Sequence, residues 1–90
     1  MSISAHVQFV PLQSREPLSI IDKAINCIKH SGLEYEVGAF GTSIEGERSA
    51  IQKLVQQLLS FDFCDEFLLN VQYHVGNNRL LNLEKVSKFR

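Results

Sequence analysis

The sequence predicts an α+β sandwich: a four-stranded antiparallel sheet with two helices packed on one face. Three observations carry this. Apolar and polar residues alternate near both ends of the chain, over 3–10 and 67–75. Two segments between them instead repeat apolar residues every three or four positions. Between those two segments lies a short stretch punctuated by Gly38, Gly41 and Gly46. Period two signals a strand and period 3.6 a helix.

In the first strand, Ile3, Ala5, Val7 and Phe9 fall on one side, and Ser4, His6, Gln8 and Val10 on the other. Pro11 ends it, and a polar loop runs to Pro17. A helix follows, with Leu18, Ile21, Ile25 and Ile28 on its apolar face and Ala24 beside them. Ser19 and Asp22 have capping-box spacing. Lys29 and His30 fall in the last turn, where the helix dipole favours cations. Gly32 suits the left-handed position beyond it.

Tyr35, Val37 and Ala39 alternate with Glu34, Glu36 and Gly38 as a second strand. Residues 42–45 form a third, hairpin-paired with it and ended by Gly46. A second helix from Glu47 to about Leu59 presents Ile51, Leu54, Val55, Leu58 and Leu59. Phe67, Leu69, Val71, Tyr73 and Val75 alternate with Leu68, Asn70, Gln72 and His74 in the fourth strand. Gly76-Asn77-Asn78 is a turn, and the apolar tail from Arg79 suits a short closing helix. The order β-α-β-β-α-β is the ferredoxin-like sandwich. Right-handed crossovers place both helices on one face and make the first and fourth strands neighbours.

Ninety residues imply one domain, spanning 1–90. Nine Lys and Arg against ten Asp and Glu leave a formal charge of -1. A nucleic-acid-binding domain of this size usually carries a basic excess, so no such partner is expected. No apolar run is long enough to span a membrane, and the first residues lack the features of a signal peptide. Cys27 and Cys64 are widely separated with no CxxC, so two free buried thiols in a reducing cytoplasm are expected.

Helices cover one sheet face. The other then carries Ser4, His6, Gln8, Asn70, Gln72 and His74, all neutral hydrogen-bonding groups. Such a face suits a polar ring ligand or the polar part of a subunit interface. If Ile44 points to the helices, Ser43 and Glu45 join this face. Glu47 is explained by the helix dipole. Glu45 is not, because strands are depleted in Glu, and it is the better functional candidate.

Catalysis is not expected. An acylphosphatase-like site needs a glycine-rich anion cradle after the first strand, and residues 11–17 contain no Gly. No Ser-His-Asp or Cys-His pattern stands out, and Asp62 and Asp65 flank Cys64 and would raise its thiol pKa. His6 and His74 could approach each other on neighbouring strands, but a third metal ligand is missing.

The segment Gly41-Thr42-Ser43-Ile44-Glu45-Gly46-Glu47 resembles the Gly-Thr-x-Ile-Glu-Gly-Glu signature of the thiamine-binding domain family. The opening strand ending in Pro11-Leu12 and the first helix ending in Ser31-Gly32-Leu33 before Tyr35 are similar too. The resemblance covers about residues 3–88. Ala39-Phe40 stands where the family commonly has Pro-Met, and Arg48 where it often has Trp. The resemblance implies a ferredoxin-like fold, association into a homodimer or homotetramer, and binding of thiamine or its hydroxymethylpyrimidine half, with no catalysis and no cofactor.

An aminopyrimidine offers a ring-nitrogen acceptor beside an amine donor, and thiamine adds a thiazolium charge. On the resemblance and strand phase together, Glu45 is the polar anchor and Thr42 and Ser43 supply hydroxyls. His6, Gln8 and Asn70 line the floor, Phe40 is a stacking surface, and Glu47 is a second carboxylate. The alternative is a homo-oligomeric interaction module that uses the same face without ligand.

Overall fold

Residues 1–90 are all described by a computed structural model. The elements are β1 (Ser2–Pro11), α1 (Pro17–Lys29), β2 (Glu34–Val37), β3 (Thr42–Glu47), α2 (Arg48–Leu59), β4 (Phe67–His74) and α3 (Asn82–Val86), closed by a 3-10 turn at Ser87–Phe89. The four strands form one sheet in the order β2-β3-β1-β4, and all three strand pairs are antiparallel. This is the α+β ferredoxin-like arrangement.

Alternation fixes the orientation of the central strands. Ile3, Ala5, Val7 and Phe9 of β1 are buried, with Ile44 of β3, against Ile20, Ala24 and Ile28 of α1 and Ile51, Leu54 and Leu58 of α2. Phe9 extends this core at one end, stacking on Phe67 at 4.6 Å and meeting the Phe61 edge at 5.2 Å. Leu33, next to Gly32 with its φ of 81°, closes the other end.

Several boundaries and faces differ from the sequence reading. The buried stripe of α1 is Ile20, Ala24 and Ile28, with Leu18 75% exposed and Ile21 and Ile25 half-buried. The helix begins at Pro17 without a side-chain cap, so Ser19 and Asp22 form no capping box; proline's fixed φ suits a first helical turn. β3 continues through Gly46 to Glu47 and passes directly into α2. Gly46 leaves room for the Leu33 side chain, which a Cβ there would meet. Leu59 is exposed, and so are Tyr73 and Val75, because neither helix reaches the outer end of β4. Cys27 and Cys64 are free but only half-buried, and burial pushes the Cys27 thiol pKa up. No helix is long and apolar enough to cross a membrane.

Leu54 is 1% exposed at the centre of the core. Leu54→Ala is expected to cost about 2–5 kcal/mol, from lost transfer energy and the cavity left behind. Equilibrium urea unfolding reads this directly, and a loss below about 1 kcal/mol would mean the helices pack more loosely than described.

Candidate functional site

Strand register arranges the polar sheet face in rows. Glu34, Glu45, Ser4 and His74 align across β2, β3, β1 and β4. The next row is Glu36, Ser43, His6 and Gln72. Gln8 and Asn70 follow one row further along.

The first row is not an open surface. The chain beyond β4 folds back over it, and Arg79 enters between the strap and the sheet. Its Nη1 donates to Glu45 Oε2 at 2.7 Å and to Ser4 Oγ at 2.7 Å, and Nη2 donates to Ser2 Oγ at 3.2 Å. The Arg79 and Glu45 side chains are only 4% and 11% exposed, and Ser4 is buried although it lies on the face away from the helices. Ser4 Oγ also donates to Glu45 Oε2 at 3.1 Å, as does the Asn82 amide at 3.1 Å. Glu45 therefore caps the first turn of α3, while the Leu81 amide is satisfied by Glu84 at 2.8 Å. All these donors fall on Oε2, and Oε1 accepts none.

Burial alone would raise the Glu45 carboxyl pKa. The hydrogen bonds from Arg79, Asn82 and Ser4 and the Arg79 charge outweigh it and hold the group below its ordinary range. The far end of α3 is tied down as well. Lys85 Nζ lies 2.5 Å from His74 Nδ1, and Arg90 pairs with Glu36.

Seated this way, α3 divides the polar face. On its β2 side lies an open cleft of about 370 Å³. Its floor is His6, Ser43 and Glu45, its rim Glu34, Glu36 and Arg90, and its apolar sides Leu83 and Val86 of α3 and Phe40 of the hairpin. Neither His6 nor Ser43 spends its polar atoms inside the protein. The His6 ring lies over Gly41, where a Cβ would sit 2.5 Å from His6 Cε1 and 2.7 Å from the Val7 carbonyl oxygen. Glycine is thus required for the imidazole to occupy the floor. A second cleft of about 380 Å³ on the β4 side shares His6 and Ser43 and adds Gln72 and His74.

Four of the eight residues singled out in the sequence meet in the first cleft: His6, Phe40, Ser43 and Glu45. Thr42 does not join Ser43, because adjacent strand residues face opposite sides, and it is buried toward the helices. Gln8 and Asn70 lie outside the cleft, where Asn70 Nδ2 donates to Gln8 Oε1 at 3.1 Å. Glu47 ends β3 at the far edge and pairs with the N-terminal ammonium. Sequence reasoning missed Arg79, Asn82 and the rim residues Glu34, Glu36 and Arg90. The one available signal was Glu45 itself, an acidic residue in a strand that needed a partner. No group of three or more His, Cys, Asp or Glu side chains is placed to hold a metal ion.

Free hydrogen-bonding groups form the floor, apolar carbons the walls, and Glu34 with the Glu36–Arg90 pair the rim. Fold and site together define a small ferredoxin-like domain with a ligand-sized cleft roofed by its C-terminal helix. The sequence profile of the thiamine-binding protein family matches residues 5–65, and the chain belongs to that family. A crystal structure from Thermotoga maritima, of a protein assigned to thiamine biosynthesis or salvage, is similar over the full length of both chains at 30% identity and a TM-score of 0.91. A domain of unknown function from Bacillus cereus matches all of this chain and 91% of its own, at 27% identity and a TM-score of 0.83. A hypothetical protein from Methanocaldococcus jannascii, at 22% identity, covers 98% of this chain and 95% of its own with a TM-score of 0.85, and shares the fold. No curated protein matches significantly.

Removing one partner of the Arg79–Glu45 pair leaves the other charge buried and uncompensated. Arg79→Met is expected to cost about 3 kcal/mol, and the double variant Arg79→Met/Glu45→Leu distinctly less. Chemical denaturation of the three proteins checks this; equal losses in the single and double variants would contradict it.

The pair also predicts an acid dependence. Glu45 titrates lower in the folded chain than its ordinary value of 4.5. Its stabilisation is therefore complete above that value and is lost as pH falls through the lower, folded pKa. Melting temperatures followed down from neutral pH should show a loss on the acid side that is smaller in Glu45→Gln. An unchanged acid profile in that variant would remove Glu45 as its source.

Proposed function

We propose that this chain binds thiamine or its hydroxymethylpyrimidine half in the cleft between α3 and β2–β3, as a non-catalytic carrier or sensor. Membership of the family supports the ligand class. The observation that carries the reading is the free polar floor: His6 and Ser43, cross-strand partners with no hydrogen bond inside the protein, beside Glu45 with Oε1 unclaimed.

Each half of the ligand has a counterpart. The aminopyrimidine amine donates to Glu45 Oε1, and the ring nitrogens meet Ser43 and His6. Phe40, 83% exposed at the rim, offers its ring face. Glu34 favours the thiazolium cation electrostatically, whereas the Glu36 charge is paired with Arg90.

The binding unit is a homodimer or homotetramer. Tyr73 and Val75 at the end of β4 and Leu80 and Leu81 in the strap are all roughly half exposed, and β2 and β4 are free sheet edges. Self-association covers such surface. The two free cysteines suit a reducing cytoplasm.

Isothermal titration with thiamine and separately with hydroxymethylpyrimidine tests the reading, with mass measured by light scattering in the same buffer. Saturable binding is expected, weakened by Ser43→Ala. Glu34→Gln should weaken thiamine by about two- to fivefold and leave the uncharged pyrimidine unaffected, because an exposed charge pair is worth less than about 1 kcal/mol. A folded oligomer that gives no heat with either compound would instead favour an interaction module built on the same exposed apolar surface.

A further inference from the structure

On the opposite side of the sheet from the polar cleft, α1 and the β2–β3 hairpin enclose a second, smaller pocket of about 110 Å³. Its walls are aliphatic: Val7 and Leu58 at the base, Ala24, Ile25 and Ile28 along α1. Val37 and Phe40, 49% and 83% exposed, form its mouth.

One polar side chain lines this pocket. Thr42 is 3% exposed, and its hydroxyl makes no hydrogen bond within the protein. Strand alternation turns it here while Ser43 and Glu45 face the other way. No buried side-chain polar atom of the protein lacks a partner, so this hydroxyl is still reached from the pocket and is free to pair with an occupant. No charged residue lines the pocket, so an ion entering it would lose its hydration without compensation.

We infer that this pocket is a second small-molecule site, which takes a neutral aromatic ring bearing one hydrogen-bonding group. The ring replaces water against Val7, Ala24 and Ile28, and the polar group pairs with Thr42. The volume agrees in scale, since an apolar cavity of about 150 Å³ accommodates benzene and this one is also open between Val37 and Phe40. The inference stands apart from the thiamine reading. It uses the other sheet face and excludes a cation.

Phenol and toluene are the probes, alike in size and differing in the hydroxyl. Each is titrated into the full chain and followed by amide chemical shifts. Saturable shifts centred on Thr42, Ala24 and Ile28 are expected, with phenol bound about tenfold more tightly than toluene, the worth of one hydrogen bond. Thr42→Val keeps the shape and removes the hydroxyl, so it should erase that preference while toluene still binds. Ala24→Leu fills the pocket and should abolish both; should it fail to fold, Thr42→Val decides alone. No saturable shifts at these amides with either probe would overturn the inference, as would a phenol preference that survives in Thr42→Val. Thiamine shifts, read at His6 and Ser43, report on the other cleft, so failure of one reading is visible apart from the other.

Discussion

The polar half of this molecule depends on one ion pair. Arg79 and Glu45, 34 residues apart in sequence, meet in near-complete exclusion of solvent. Desolvating two charges is expensive, and a bare pair often fails to recover that cost. Here recovery comes from the surrounding donors. Ser4, Asn82 and Arg79 converge on a single carboxylate oxygen, and Arg79 spends further N–H groups on Ser2. The same pair neutralises a repulsion written into the sheet, because Glu34 lies directly opposite Glu45 and like charges in that position destabilise a strand pair. Without Arg79 the first row of the polar face would hold two facing carboxylates, and the strap would keep only its Asn82, Lys85 and Arg90 contacts.

Strand alternation then divides the labour of five consecutive residues. Thr42 and Ile44 point to the helices, Ser43 and Glu45 to the strap, and Gly46 leaves room for Leu33 as the strand runs on into α2. A slip of one residue in β3 would exchange all of these roles at once. The hairpin that precedes them serves both sides. Gly38, Ala39, Phe40 and Gly41 border the polar cleft and the apolar pocket alike. Gly41 is sterically fixed by His6, whereas Phe40 stands largely in solvent at both mouths.

The sheet was legible because its signal is local. In β1 the buried apolar residues are the alternating Ile3, Ala5, Val7 and Phe9, and the phase of β4 follows the same rule. Helix α1 was harder. Its apolar residues form two overlapping sets, Leu18-Ile21-Ile25-Ile28 and Ile20-Ala24-Ile28, and periodicity alone does not choose between them. The choice is made by where β1 and α2 lie. For the site, the sequence pointed to Glu45 as an acidic residue out of place in a strand. It could not supply the partner, because Arg79 arrives through a turn and a strap whose docking no local pattern records. That is also why Ser4 read as a surface serine and proved buried.

The roof and the floor of the cleft therefore have unequal standing. His6, Ser43 and Glu45 sit on the two central strands, whose reverse faces are the core. Helix α3 has five residues, none of them buried, and stays in place through the Arg79, Asn82, Lys85 and Arg90 contacts. Elements with little burial open at a fraction of the free energy of global unfolding. The floor is thus built on the core, while the roof is held by side-chain contacts rather than by burial of its own. Glu45 belongs to both: it lines the floor of the cleft and, through Oε2, holds the strap.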